Sequence, residues 1–268
     1  GLHNVNGIFR NRFAVIVTNP PFGTNLKKDS PTVELDDKYS NQAAIDHYIE
    51  EYGELYVEEM KQVTDNFGKP IRNLFHTGTT SGATEVLFIE RCLDLLKPGG
   101  RMGIVLPEGV LNSGGLQTIR EYFESRAKIL LLVSLPQDVF VSSGATVKTS
   151  LVFLKKFDEI EQEKYNQIIL EATSLTNEKY SVKIKNLENS LSKATTQEKK
   201  ILKLEINNLK IKKEKERADL QREKFNYEVP ISDIQKAGIT TTGAKGDDDL
   251  PELLKLYTDY RIENNLWK

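Results

Sequence analysis

The chain has 268 residues and a mass of 30.4 kDa, room for one large domain or two smaller ones. Its 37 Lys and Arg stand against 39 Asp and Glu, a formal net charge of −2, so no global positive field attracts nucleic acid and any such binding must come from a local patch. No apolar run approaches the roughly 18 residues of a membrane span and no signal-peptide pattern opens the sequence, so a cytoplasmic protein with no membrane partner is expected.

The chain begins at Gly1 rather than Met, as expected of a processed chain or of a piece of a longer one. Phe13 to Val17 (FAVIV) reads as a nearly continuous apolar strand, the pattern of a strand covered on both faces, and Asn19-Pro20-Pro21-Phe22 follows at its carboxyl end. Residues 30–80 read as an insertion holding at least one helix, with Ala44, Ile45, Tyr48, Ile49, Tyr52, Leu55 and Tyr56 at helical spacing within Asn41 to Met60. His76 to Thr84 (HTGTTSGAT) lacks the Gly-Lys-Ser/Thr ending of a phosphate loop and reads as a flexible connection. Thr84 is expected to cap a helix from Glu85 to Leu96, which Lys97-Pro98-Gly99-Gly100 stops. On that helix the single cysteine, Cys92, reads as a small buried hydrophobe in a reducing compartment.

Arg101 to Leu106, Lys128 to Leu135 and Thr149 to Lys155 read as further strands. A helix from Leu116 to Arg126 links the first two, and the last is reached through the Gly144 loop. This is an α/β layer pattern extending to residue 157. Residues 158–226 turn dense in Lys and Glu. Ile184, Leu187, Leu191 and Ala194, then Ile201, Leu204, Ile206, Leu209 and Ile211, predict two long antiparallel helices of coiled-coil type, with a capping box at Thr195-Thr196-Gln197-Glu198. Residues 227–268 form a third segment: a turn-rich stretch from Gly238 to Gly246, then a helix capped by Asp249 and carrying Leu253, Leu254, Tyr257 and Tyr260. The aspartates 247–249 read as an acidic helix start rather than a cation site, so no metal is expected.

The chemistry concentrates in Asn19-Pro20-Pro21-Phe22. In an open parallel sheet, ligands bind beyond the carboxyl ends of the strands, where this tetrapeptide stands. A planar exocyclic amine is a poor nucleophile because its lone pair is delocalised into the ring. Acceptors on both its N–H bonds, here the Asn19 amide oxygen and the Pro20 carbonyl, turn that lone pair towards an electrophile. The prolines stiffen the backbone and bring no competing N–H, and Phe22 offers a flat face to a base. The same dipeptides also end strands as simple turns; the exact tetrapeptide after an apolar strand favours the chemical role.

The stretch Val15-Ile16-Val17-Thr18-Asn19-Pro20-Pro21-Phe22-Gly23 resembles the catalytic motif of N6-adenine DNA methyltransferases that use S-adenosylmethionine. Leu95-Leu96-Lys97-Pro98-Gly99-Gly100-Arg101, Ile104 to Leu111 (IVLPEGVL), Val139-Phe140-Val141 and Gly144 to Phe153 (GATVKTSLVF) are similar to the modification subunit of type I restriction-modification systems, as is the tail from Ala237 to Trp267. The resemblance implies the C-terminal half of a Rossmann-like methyltransferase fold over residues 1–157, followed by a helical hairpin. It implies that Asn19, Pro20, Pro21 and Phe22 act on an adenine flipped from the duplex, that Phe140 helps hold the base, and that Lys27, Lys28 and Lys148 meet the DNA backbone. The partners implied are DNA, a specificity subunit and a restriction subunit. The family's glycine loop and acidic cofactor residues have no counterpart in this sequence, so a fragment without its own S-adenosylmethionine site, inactive alone, is expected. Two alternatives stay open: methylation of RNA or of a release-factor glutamine, and an assembly module acting through the helices.

Overall fold

The computed structural model describes residues 10–29, 31–144, 146–192 and 194–266. Gly1–Phe9, Ala145 and Trp267, which enter the readings above, lie outside the described residues. From Phe13 the chain runs through β1 (Phe13–Thr18), α1 (Asp37–Ser40), α2 (Gln42–Tyr52), α3 (Glu54–Asp65), α4 (Thr84–Leu95), β2 (Leu96–Pro107), α5 (Glu108–Asn112), α6 (Gln117–Glu124), β3 (Ala127–Ser134) and β4 (Thr149–Lys156). Then come α7 (Glu159–Leu191), α8 (Thr196–Lys224), β5 (Ile231–Asp233), β6 (Ala237–Ile239), β7 (Lys245–Asp248) and α9 (Leu250–Glu263).

Among the described residues, five strands form one sheet in the order β1-β2-β4-β3-β5. β1 pairs parallel to β2 and β5 parallel to β3, while β4 runs antiparallel between β2 and β3. The carboxyl ends of β1, β2 and β3 therefore share one edge. One face of the sheet buries Met102, Ile104, Leu106, Val152 and Leu154 against α4 and α6, through Val86, Ile89, Leu93, Ile119 and Phe123. On the other face Leu131, Val133, Leu151 and Phe153 pack against Leu250, Leu253 and Tyr257 of α9, and the Tyr257 hydroxyl donates to the Leu130 carbonyl at 3.0 Å. Residues 34 to 75 build their own small core around Tyr39, Tyr56, Val63, Leu74 and Phe75, joined by Leu87 of α4.

Several expectations change. β1 is not covered on both faces: Val15 and Val17 are 54% and 84% exposed. The expected helix within Asn41 to Met60 is two, broken at Gly53, whose φ of 60° a side chain would strain. The HTGTTSGAT stretch is not a flexible connection. It forms a 3-10 turn, Thr77–Thr79, with Thr77 and Gly78 buried, and the buried Glu90 carboxylate accepts from the backbone N–H groups of His76 and Thr77 at 2.7 and 2.9 Å and from the Thr77 hydroxyl at 2.6 Å. Lys97-Pro98-Gly99-Gly100 does not simply stop a helix; it bulges within β2, between the pairs Phe13–Leu96 and Val15–Arg101. Residues 229–266 group with the sheet through β5 and α9 instead of standing apart, and residues 159–228 form a second unit. Asp249 does not cap α9 by its side chain: it accepts from the N–H groups of Gln235 and Lys236, and Asp248 accepts from Leu250 at 3.0 Å.

In the second unit, α7 and α8 pack through Tyr180, Ile184 and Ile206, supported by Leu187, Leu191 and Leu209. The Thr195 N–H donates to the Glu198 carboxylate at 2.8 Å, the expected start of α8. Lys179–Glu216, Lys210–Glu188 and Lys224–Glu171 link the two helices at 2.6 to 2.7 Å. Ile201, Leu204 and Ile211, expected on the shared stripe, are instead 66%, 65% and 59% exposed.

Candidate active site

The site grows from the end of β1. Thr18 is the last paired residue, opposite Ile104, and Asn19 follows it into the open. Asn19 and Pro21 are exposed, Pro20 is buried and Phe22 is half-buried. With no N–H at residues 20 and 21, the turn cannot anchor itself through its own donors. The anchor comes from the start of α4. The Thr84 hydroxyl donates to the Pro21 carbonyl at 2.9 Å and lies 3.1 Å from the Thr24 carbonyl, and the Thr84 N–H donates to Thr24 at 2.9 Å. Thr84 was expected as a helix cap; Ala83 holds that position, and the Thr84 side chain serves the turn.

The loop after β3 brings in Phe140. Its ring meets Phe22 edge-to-face, with centroids 5.9 Å apart and planes at 77°, so two aromatics widely separated in sequence line one place at the sheet edge. Glu108, directly after β2, lies at the same edge. Its carboxylate accepts from the Ser134 hydroxyl at 3.3 Å and pairs with Lys148 at 3.3 Å, while its N–H donates to the Lys148 carbonyl at 3.0 Å. Lys148 therefore spends its charge on Glu108 in this arrangement. Lys27 and Lys28 are exposed beyond the turn. Sequence reasoning missed Glu108, Ser134 and the clamping role of Thr84. Their partners lie 26 residues away for Ser134 and 63 for Thr84, and no local pattern signals either pairing.

Beside β1 an open apolar groove of about 870 Å³ runs under α9, lined by Val15, Val17, Gly103, Leu131, Phe153 and Leu254 among others. Its lining is mostly apolar, with Arg101, Asp248, Thr258 and Arg261 as the polar or charged residues, and it holds no glycine turn of the kind that cradles a nucleotide cofactor. Among the described residues, none group as metal ligands. Cys92 is buried in α4, and burial pushes its thiol up to about 11.

Residues 52–242 match the family described as N-6 DNA Methylase. The chain belongs to the N-6 DNA methylase family. The matched span covers β2 to β4 and the helical pair, while the Asn19 turn precedes it. Over 73 residues the chain is 33% identical to the type I restriction enzyme EcoKI methylase subunit of Escherichia coli (strain K12), and equally to the StySJI methylase subunit of Salmonella typhimurium. Those residues are 27% of this chain and only 13% of either relative. Among solved structures, it is similar to a modification subunit of a putative type I restriction enzyme from Vibrio vulnificus YJ016, at 22% identity over 55% of this chain and 23% of that one, with a TM-score of 0.36. It is also similar to the EcoKI M protein, at 21% identity over 56% and 22% of the two chains, with a TM-score of 0.33. No described helix is long and apolar enough to cross a membrane.

Proposed function

We propose that this chain carries the base-reading half of an N6-adenine DNA methyltransferase of the type I restriction-modification kind, acting on an adenine flipped from the duplex. The observation that carries the reading is the Asn19-Pro20-Pro21-Phe22 turn at the carboxyl end of β1 with Phe140 against Phe22. Asn19 Oδ1 and the Pro20 carbonyl accept the two N–H bonds of the adenine amine and so aim its lone pair. Phe22 stacks on the base, and Phe140 closes the aromatic wall. S-adenosylmethionine is the methyl donor of such enzymes, and no glycine loop follows a strand among the described residues, so its site is proposed to lie outside them. The exposed Val15 and Val17 support this, since strands of a parallel sheet are normally buried on both faces.

Asn19→Ala in the methyltransferase that carries this chain is expected to lower labelled methyl transfer to duplex DNA by roughly two orders of magnitude or more. Label entering RNA or a release-factor glutamine instead of DNA would move the reading to the alternative substrates. A second reading, compatible with the first, rests on exposed Ile201, Leu204 and Ile211: α7 and α8 dock another protein, proposed to be the specificity subunit of a complex that also holds a restriction subunit. Deleting residues 158–224 is expected to abolish co-purification with that subunit, and unchanged association rejects the docking role.

A further inference from the structure

We propose that Thr84 is a positioning residue for the Asn19–Phe22 turn, and that Gly82-Ala83-Thr84 clamps the turn to the core. The proposal rests on the reading of that turn as the adenine site and adds the group that holds it in shape. Thr84 is 6% exposed, so its hydroxyl bond to Pro21 at 2.9 Å is shielded from competing water. Its N–H holds Thr24 at 2.9 Å, the Leu26 N–H donates to the Gly82 carbonyl at 2.8 Å, and Asn25 bridges Ala83 in antiparallel fashion. The approach is so close that a Cβ at Gly82 would collide with the Leu26 carbonyl oxygen, which explains a glycine there.

Three contiguous residues thus grip both Pro21 and the strip from Thr24 to Leu26. The clamp is rooted in α4, whose Val86, Leu87 and Ile89 are 0 to 2% exposed, so it moves only if the core moves. The chemical need is specific. The Pro20 carbonyl belongs to the Pro20–Pro21 peptide plane, and neither proline offers an N–H to fix that plane. A bond to the next carbonyl, that of Pro21, limits rotation on the far side of the plane. Thr84 therefore acts on the amine through the turn, without touching it.

The test uses this chain with Thr84→Val and Thr84→Ala, which remove the hydroxyl, and Thr84→Ser, which keeps it. Both hydroxyl-free variants should keep the melting temperature of the sheet unit within a few degrees. Amides from Phe22 to Leu26 should exchange with deuterium about fivefold faster, and Thr84→Ser should restore the native rate. Unchanged exchange in both variants overturns the clamp. In a second arm, a fluorescein-labelled oligonucleotide carrying an unpaired adenine, whose 6-amino group the turn is proposed to hold, should bind Thr84→Val about fivefold more weakly than wild type or Thr84→Ser. Equal binding despite faster exchange overturns the positioning role. Wild-type chain that does not bind this oligonucleotide overturns the adenine reading of the turn, while exchange still decides the clamp.

Discussion

At the scale of single residues, environment decides what a side chain can do. Cys92 sits 5% exposed between α4 and the sheet, and burial raises its thiol to about 11, so almost none of it is thiolate near neutral pH. Iodoacetamide at about pH 8 should leave the native chain unlabelled by mass spectrometry, with stoichiometric labelling once denaturant is added; rapid native labelling would contradict the burial. Asn19 is the converse case: it stands exposed at the strand end, with its amide available to a ligand. Its proposed role was legible because the tetrapeptide and the strand before it are contiguous. Phe140 was legible only through the family resemblance, since nothing near it in sequence announces that its ring meets Phe22 at 5.9 Å.

At the scale of elements, α7 and α8 show how an apolar pattern divides between two surfaces. Ile206 and Leu209 face α7, while Ile201, Leu204 and Ile211 remain outside, because the apolar residues of α8 occupy more than one stripe. Ion pairs add a pH dependence. Hydrogen bonds from Lys179 and Tyr180 hold the Glu216 carboxyl below its ordinary 4.5, and the backbone and hydroxyl of Thr195 do the same for Glu198. A depressed folded pKa means stability that is complete above 4.5 and lost as pH falls through the depressed value. Lys179 runs the other way: Glu216 raises it above 10.5, so its share is present below that value and lost as pH rises through the raised one. Thermal melts followed by far-ultraviolet circular dichroism should show the helical pair losing stability as pH falls below 4.5. Glu216→Gln and Glu198→Gln together should flatten that loss.

At the scale of the whole molecule, the exposed apolar edge is the dominant feature. β1 is an edge strand of β-branched and aromatic residues with no charge to blunt it, and the groove beside it is apolar. Such an edge is a template for pairing with another chain. Light scattering should find that this chain alone self-associates as concentration rises, and that Val17→Lys, which leaves the α4-facing core untouched, suppresses the association. Equal association in both would assign it to another surface. The matched segment is 13% of the relatives' length.

By itself the sequence determined the local elements: four strands of the α/β pattern, the capping box of α8 and the Asn-Pro-Pro-Phe turn all depend on neighbours a few residues apart. Tertiary structure alone decided that β4 inserts antiparallel between β2 and β3, that the C-terminal segment joins the same sheet through β5, and that β1 stands uncovered. It also turned Thr84 from an expected cap into a clamp, because its acceptor, the Pro21 carbonyl, lies 63 residues earlier in the chain. Local periodicity records which face of an element is apolar. It does not record which other element covers that face, and that pairing is what places Phe140 on Phe22 and Thr84 on the turn.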